Sequence, residues 1–175
     1  MHQATTEGAP LLFRPGRIGA MHLPHRILMG SMHLGVESDR GCLLRIQAFY
    51  AERVRGGAAL ITTGGVAVLP EGGGDHMFCL TCKADREDLS LIADAVHREG
   101  GKIALQPFHA GRYARSSEVG CQPVAPSRVA SRFTREEPAD FQDEPETASR
   151  LIIALKNVVD IGDGIKSHRT EPIDI

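Results

Sequence analysis

Three segments of this chain, residues 26–30, 58–64 and 102–107, read as strands that each run into polar or glycine-rich chemistry at the carboxyl end. Between them lie two stripes of apolar residues at helical spacing. Leu43, Ile46, Tyr50 and Val54 precede Gly56-Gly57, and Leu89, Ile92, Ala93 and Val96 precede Gly100-Gly101. Each stripe recurs every three or four residues and stops at glycine, the signature of an amphipathic helix with a C-terminal stop. Ala58-Ala59-Leu60-Ile61 is continuously apolar, as in a strand buried on both faces. Parallel neighbours need helical crossovers of one hand. The economical architecture is therefore α/β: the beginning of a (β/α) barrel or an open doubly wound sheet. In both, ligands bind at the carboxyl ends of the strands.

The amino-terminal region prepares that first strand. Leu11-Leu12-Phe13, a Pro15-Gly16 turn, Ile18, a second turn and Ile27-Leu28-Met29 predict a short hairpin leading into a buried strand. Such a hairpin is placed to plug one end of a barrel. Residues 1–10 are polar and read as a flexible terminus. Residues 70–83 form a glycine-rich loop, and beyond Phe108 the periodicity lapses into a long loop through about Phe133. Thr134 and Glu137 have capping-box spacing, but Pro138 follows and no apolar stripe does, so no helix is expected there. Leu151, Leu155, Val158 and Val159 predict one amphipathic helix in the tail, ended by Gly162-Asp163-Gly164.

Composition excludes several function classes. With 42% apolar and 24% charged residues the chain is an ordinary globular sequence. A formal charge of −2, with arginines scattered rather than striped, provides no footprint for nucleic acid. Val66–Leu69 is too short an apolar run to cross a bilayer, and the opening residues do not form a signal peptide, so a cytoplasmic location is expected. Cys42, Cys79, Cys82 and Cys121 do not make a disulfide framework and suit a reducing compartment. Cys79 and Cys82 have the spacing of half a metal site, with His76 nearby, but no second pair completes it, so no metal is expected. Glu71-Gly72-Gly73-Gly74 lacks the pattern of a phosphate loop.

Four motifs carry a resemblance: Arg26-Ile27-Leu28-Met29-Gly30-Ser31-Met32-His33, Phe49-Tyr50-Ala51-Glu52-Arg53, Leu60-Ile61-Thr62-Thr63-Gly64-Gly65, and residues 101–112, which end in Gln106-Pro107-Phe108-His109-Ala110-Gly111-Arg112. Together, in order and at compatible spacing, they resemble the Old Yellow Enzyme family of flavin oxidoreductases, most closely its bacterial 2,4-dienoyl-CoA reductase branch. The resemblance implies a TIM barrel holding FMN, with NADH or NADPH as reductant and an enone or enoyl-CoA as substrate. It implies that Ser31, Met32 and His33 lie along the isoalloxazine and that the backbone at Gly65 passes close to it. It further implies that Gln106 bonds the pyrimidine edge and that His109 and Arg112 lie beside the flavin.

Read singly, each residue also has an ordinary structural role: Ser31 and His33 as turn formers or caps, Gly64-Gly65 as a tight turn, Gln106 and His109 as satisfied polar groups. The chain departs from the family at His25, where asparagine is common, and from about Ala139 onward. The expected organisation is residues 11–137 as about three βα units of an incomplete barrel and residues 138–175 as a divergent tail. A closed barrel takes about 250 residues, so the family's proton-donating tyrosine, its substrate-anchoring polar pair and its phosphate cradle are expected to lie outside this chain, and no catalytic residue is assigned. Open sheet edges then favour self-association. The competing readings are a non-catalytic interaction module that retains a flavin half-site and, ranked lower, a small metal protein built on Cys79 and Cys82.

Overall fold

The computed structural model describes residues 10–141, apart from 38, 40, 75 and 76. Its strands are β1 (Gly16–Ile18), β2 (Met21–Leu23), β3 (Leu28–Met29), β4 (Leu60–Ala67), β5 (Ile103–Phe108), β6 (Val124–Ala125) and β7 (Ala139–Asp140). Its helices are α1 (Cys42–Arg55), α2 (Lys83–Arg98) and the single turn α3 (Ser116–Val119). The main sheet is parallel in the order β3-β4-β5, with α1 and α2 as the crossovers. Three strands joined this way are the opening βαβαβ of a (β/α) barrel.

β4 is buried along nearly its whole length, on both of its faces. Successive side chains of a strand point to opposite faces, so Ile61 and Leu60 enter different clusters. Ile61 and Val66 join Ile46 and Tyr50 of α1 with Leu89, Ile92 and Val96 of α2. Leu60 and Ala59 instead meet Leu23, with Met21 and Ala104 packed around them. The β1–β2 hairpin, in which Gly16 pairs with Leu23 and Ile18 with Met21, thus covers the second face near the amino end of β4. A hairpin therefore does precede the first strand of the main sheet, although it is built from residues 16–23.

The helices form where the apolar stripes place them, and Arg53 and Arg55 in the last turn of α1 complement the negative end of its dipole. Several details differ from the sequence reading. Leu11–Phe13 is a turn of 3-10 helix rather than a hairpin arm. The first barrel strand is reduced to Leu28–Met29, and Leu28 remains 46% exposed because β3 is an edge with no neighbour beyond it among the described residues. β4 continues through Gly64-Gly65 to Ala67, so those glycines lie inside the strand and not in a turn after it. The long loop after β5 contains a 3-10 turn at Gly111–Tyr113, α3 and β6, and β6 pairs in parallel with β7, Val124 opposite Ala139. These pieces are too short to show a period. No helix forms at residues 134–137, as expected, and there the Thr134 hydroxyl accepts from the Glu136 amide at 3.3 Å. The flexible terminus, His76 and the tail helix of the sequence reading lie outside the described residues. No described helix is long and apolar enough to cross a membrane.

Ile92 is almost wholly buried between the helices and β4. Ile92→Ala should lower unfolding stability by about 2–5 kcal/mol, the range for emptying such a site. Urea denaturation checks this, and a loss under about 1 kcal/mol would show that α2 is not seated as described.

Candidate functional site

The carboxyl ends of β3, β4 and β5 bring together residues far apart in sequence. Ser31 follows β3, and its hydroxyl donates to Oε1 of Gln106, near the end of β5, at 2.6 Å. That bond spans the sheet above β4. Gly65 is paired in register with Gln106. The segment after β3 passes directly over Gly64, where a Cβ would meet the Met32 carbonyl at 2.9 Å and His33 Nδ1 at 3.2 Å. Only glycine allows this approach. Ser31, Met32, His33, Gly64, Gly65 and Gln106 therefore form one cluster. Its Ser31, Met32, His33 and Gln106 side chains are exposed.

The turn that carries His33 is held by Glu37, whose carboxylate accepts from the Leu34 amide at 2.8 Å and the Val36 amide at 2.9 Å. His33 Nδ1 lies 3.9 Å from that carboxylate. Two groups that the motifs do not flag on their own chemistry support the cluster from below. Thr63 Oγ1 accepts from the Gln106 amide at 3.1 Å and donates to the Gly64 carbonyl at 2.8 Å. Tyr50, buried in α1, faces the Gly64 backbone, and burial is the main cause that raises its phenol above the usual range. No sequence signal separates Thr63 from Thr62, because their roles depend on a register shift in β4.

His109 and Arg112 occupy a second position, farther along the chain from the end of β5. The His109 ring lies against Gly72, where a Cβ would be only 2.2 Å from its Cδ2, and edge-on to Phe141 with centroids 6.3 Å apart. Its Nδ1 accepts from the Gly111 amide at 3.0 Å, so the neutral ring carries its proton on Nε2. Nε2 is buried and has no partner among the described residues. Arg112 is half-buried with its guanidinium 5.5 Å from the Tyr113 ring centroid. No hydrogen bond or ring contact among the described residues links His109 or Arg112 to the Ser31–Gln106 pair.

Cys79 and Cys82 lie in a turn in which the Cys82 amide donates to the Cys79 carbonyl at 3.0 Å, and Cys79 bridges to Ala67 at the end of β4. Among the described residues no group of three or more His, Cys, Asp or Glu side chains is arranged to hold a metal ion.

The cluster suits a flat ring with an amide-like edge. Met32 offers apolar surface at 51% exposure, and Gln106 presents an exposed carboxamide, while the space beside Gly64 and Gly65 is taken up by Met32, His33, Phe108 and Met77. Among the described residues, the one side-chain hydrogen bond of that carboxamide is with Ser31, which leaves donor and acceptor capacity for a ligand. The NADH:flavin oxidoreductase / NADH oxidase family model matches residues 11–152 of the chain. The chain belongs to this family, the Old Yellow Enzymes. The family uses FMN, with NADH or NADPH as reductant, and its barrel is the fold of which residues 10–141 show the first three strands.

The chain is 40% identical over 134 residues to a metal reductase of Desulforamulus reducens, covering 77% of this chain and 20% of that protein. It is 35% identical over 138 residues to an NADH oxidase of Thermoanaerobacter brockii, covering 75% and 21%. Morphinone reductase in complex with tetrahydroNAD superimposes with a TM-score of 0.69 at 25% identity, over 86% of this chain and 47% of that one. The chain thus spans about a fifth of the length of these two curated relatives.

Burial lowers the His109 pKa from 6.5, and the field of Glu71 opposes that shift. The folded state therefore binds fewer protons at this site than the unfolded chain. Its contribution to stability is complete above the unfolded pKa of about 6.5 and declines as pH falls below it toward the folded pKa. Urea unfolding at pH 7.5 and 5.5 should show a larger acid-side loss for the native chain than for His109→Gln. Equal losses would mean that His109 is solvated.

Proposed function

We propose that residues 10–141 provide the FMN-holding floor of an ene-reductase similar to 2,4-dienoyl-CoA reductase. When bound, FMN supplies two-electron chemistry, accepting a hydride from NADH or NADPH and passing it to an activated alkene such as an enone or enoyl-CoA. The work of this chain is to bind and orient. Gln106 would hold the pyrimidine edge through its carboxamide, with Ser31 fixing which end of that amide is free to accept or donate. Ser31, Met32 and His33 would line the ring, and Gly65, whose missing side chain leaves room for Phe108 and Met77, would keep the end of β4 closely packed beside it. His109 and Arg112 would stand beside the ring system, His109 as a neutral imidazole whose Nε2–H lacks an acceptor among the described residues.

The observation that carries this reading is the 2.6 Å bond from Ser31 to Gln106, which joins two family motifs separated by 75 residues at the ligand end of the strands. The test is an FMN titration of the full chain, read by quenching of flavin fluorescence. Saturable binding is expected, and Gln106→Ala should weaken it by about tenfold, as loss of one good hydrogen bond to a desolvated partner does. Absence of saturable binding, or identical binding by the variant, would overturn the proposal.

The open sheet favours a second reading, in which the same half-site takes part in association. Leu28 and Phe108 are 46% and 38% exposed on the two edge strands. Beside β3 an open groove of about 450 Å³ is lined by residues including Ile27, Leu28, Met29 and Arg53. Unpaired parallel edges with apolar flanks template pairing with another chain. Light scattering after gel filtration should show oligomers that Leu28→Lys shifts toward monomer. A monomer at all concentrations would remove this reading.

A further inference from the structure

We propose that Thr63 is the positioning residue for Gln106: its hydroxyl closes a bulge in β4 and thereby sets where the Gln106 carboxamide is held toward FMN. The inference rests on the FMN reading above.

The bulge is visible in the register. Thr62 pairs with Ala104 and Gly65 with Gln106, so β4 advances three residues while β5 advances two. One additional residue on one strand breaks the ladder locally and turns the side chains beyond it to the other face. The backbone groups freed by the break are buried and must be satisfied. Thr63 satisfies two of them. Its Oγ1 takes the Gln106 N–H at 3.1 Å and gives its own proton to the Gly64 carbonyl at 2.8 Å. From the helix side, the Tyr50 hydroxyl faces the Gly64 backbone. With the bulge closed in this way, Gly65 comes to lie opposite Gln106, while Gly64 lies beneath the Met32 carbonyl.

Thr63 and Ser31 hold Gln106 from two ends, but they are not equivalent. Ser31 is exposed, so water can replace its bond to the carboxamide. Thr63 is only 6% exposed, so its hydroxyl is harder for water to replace than that of Ser31. Valine at this position keeps the branched shape and removes the hydrogen bonds, whereas serine keeps the hydroxyl. An unpaired Gln106 N–H would pull β5 out of its register with Gly65 and displace the carboxamide with it.

The test uses the full chain with FMN as probe and compares the native protein, Thr63→Val, Thr63→Ser, Gln106→Ala and the double variant Thr63→Val/Gln106→Ala, each first shown to be folded by far-ultraviolet circular dichroism. Thr63→Val should weaken FMN binding by about tenfold and Thr63→Ser by less than about threefold. The double variant should bind no more weakly than Gln106→Ala, because Thr63 acts through Gln106. Equal weakening by Thr63→Val with and without Gln106 would show general structural damage and overturn the proposal.

A flavin-free measurement separates this inference from the reading on which it rests. Hydrogen exchange at the Gln106 amide should accelerate by about tenfold or more in Thr63→Val and stay slow in Thr63→Ser. Unchanged protection in Thr63→Val overturns the role of Thr63 whether or not FMN binds. Lost protection in a chain whose native form binds no FMN retains the placement of Gln106 by Thr63 and removes FMN as what it is placed for.

Discussion

β4 can be buried on both faces only if two different parts of the chain reach it, and the rest of the geometry follows from that requirement. α1 and α2 supply one layer through Ile46, Tyr50, Leu89, Ile92 and Val96. The amino-terminal hairpin supplies the other through Leu23, near the amino end of the strand. Fixing β4 in this way fixes β3 and β5 beside it. Their carboxyl ends then share one surface, where Ser31 and Gln106 meet across the sheet. Ser31, Met32, His33 and Gln106 remain exposed there, and the hairpin covers the opposite end.

Polar chemistry at that surface depends on how the backbone is satisfied beneath it. A regular β4 would pair every amide with a neighbour and leave no place for Gly64 to pass under Met32. The bulge breaks the regular pairing, and Thr63 restores the lost hydrogen bonds from its side chain. His109 shows the opposite case. It is packed against Gly72 and Phe141 with one nitrogen satisfied by Gly111 and the other buried without a partner among the described residues. An unsatisfied donor of this kind is uncommon in a native interior.

Much of this was legible in the sequence. The stripes through Leu43–Val54 and Leu89–Val96 have a strong period, so the helices appear where the residues place them. The residues of the first three motifs meet Gln106 at the carboxyl ends of the strands, whereas His109 and Arg112 lie farther along the loop after β5, a distance that motif order alone does not give. The short strands β6 and β7 escaped because two-residue pairings leave no period to read. The extension of β4 through Gly64-Gly65 escaped for a related reason, since adjacent glycines signal a turn unless a neighbouring strand holds them.

The sequence by itself determined the two long helices, the three strands of the main sheet and their parallel order, and which ends carry the polar groups. Those properties are local or follow from short connections between neighbours. Only the tertiary structure decided which side chain supports which. Thr62 and Thr63 are the same residue type at adjacent positions, and their different roles arise from a register set by β5 some forty residues later. Hydrogen bonds between segments so distant depend on the packing of α1, α2 and the hairpin around β4, and no local pattern encodes that.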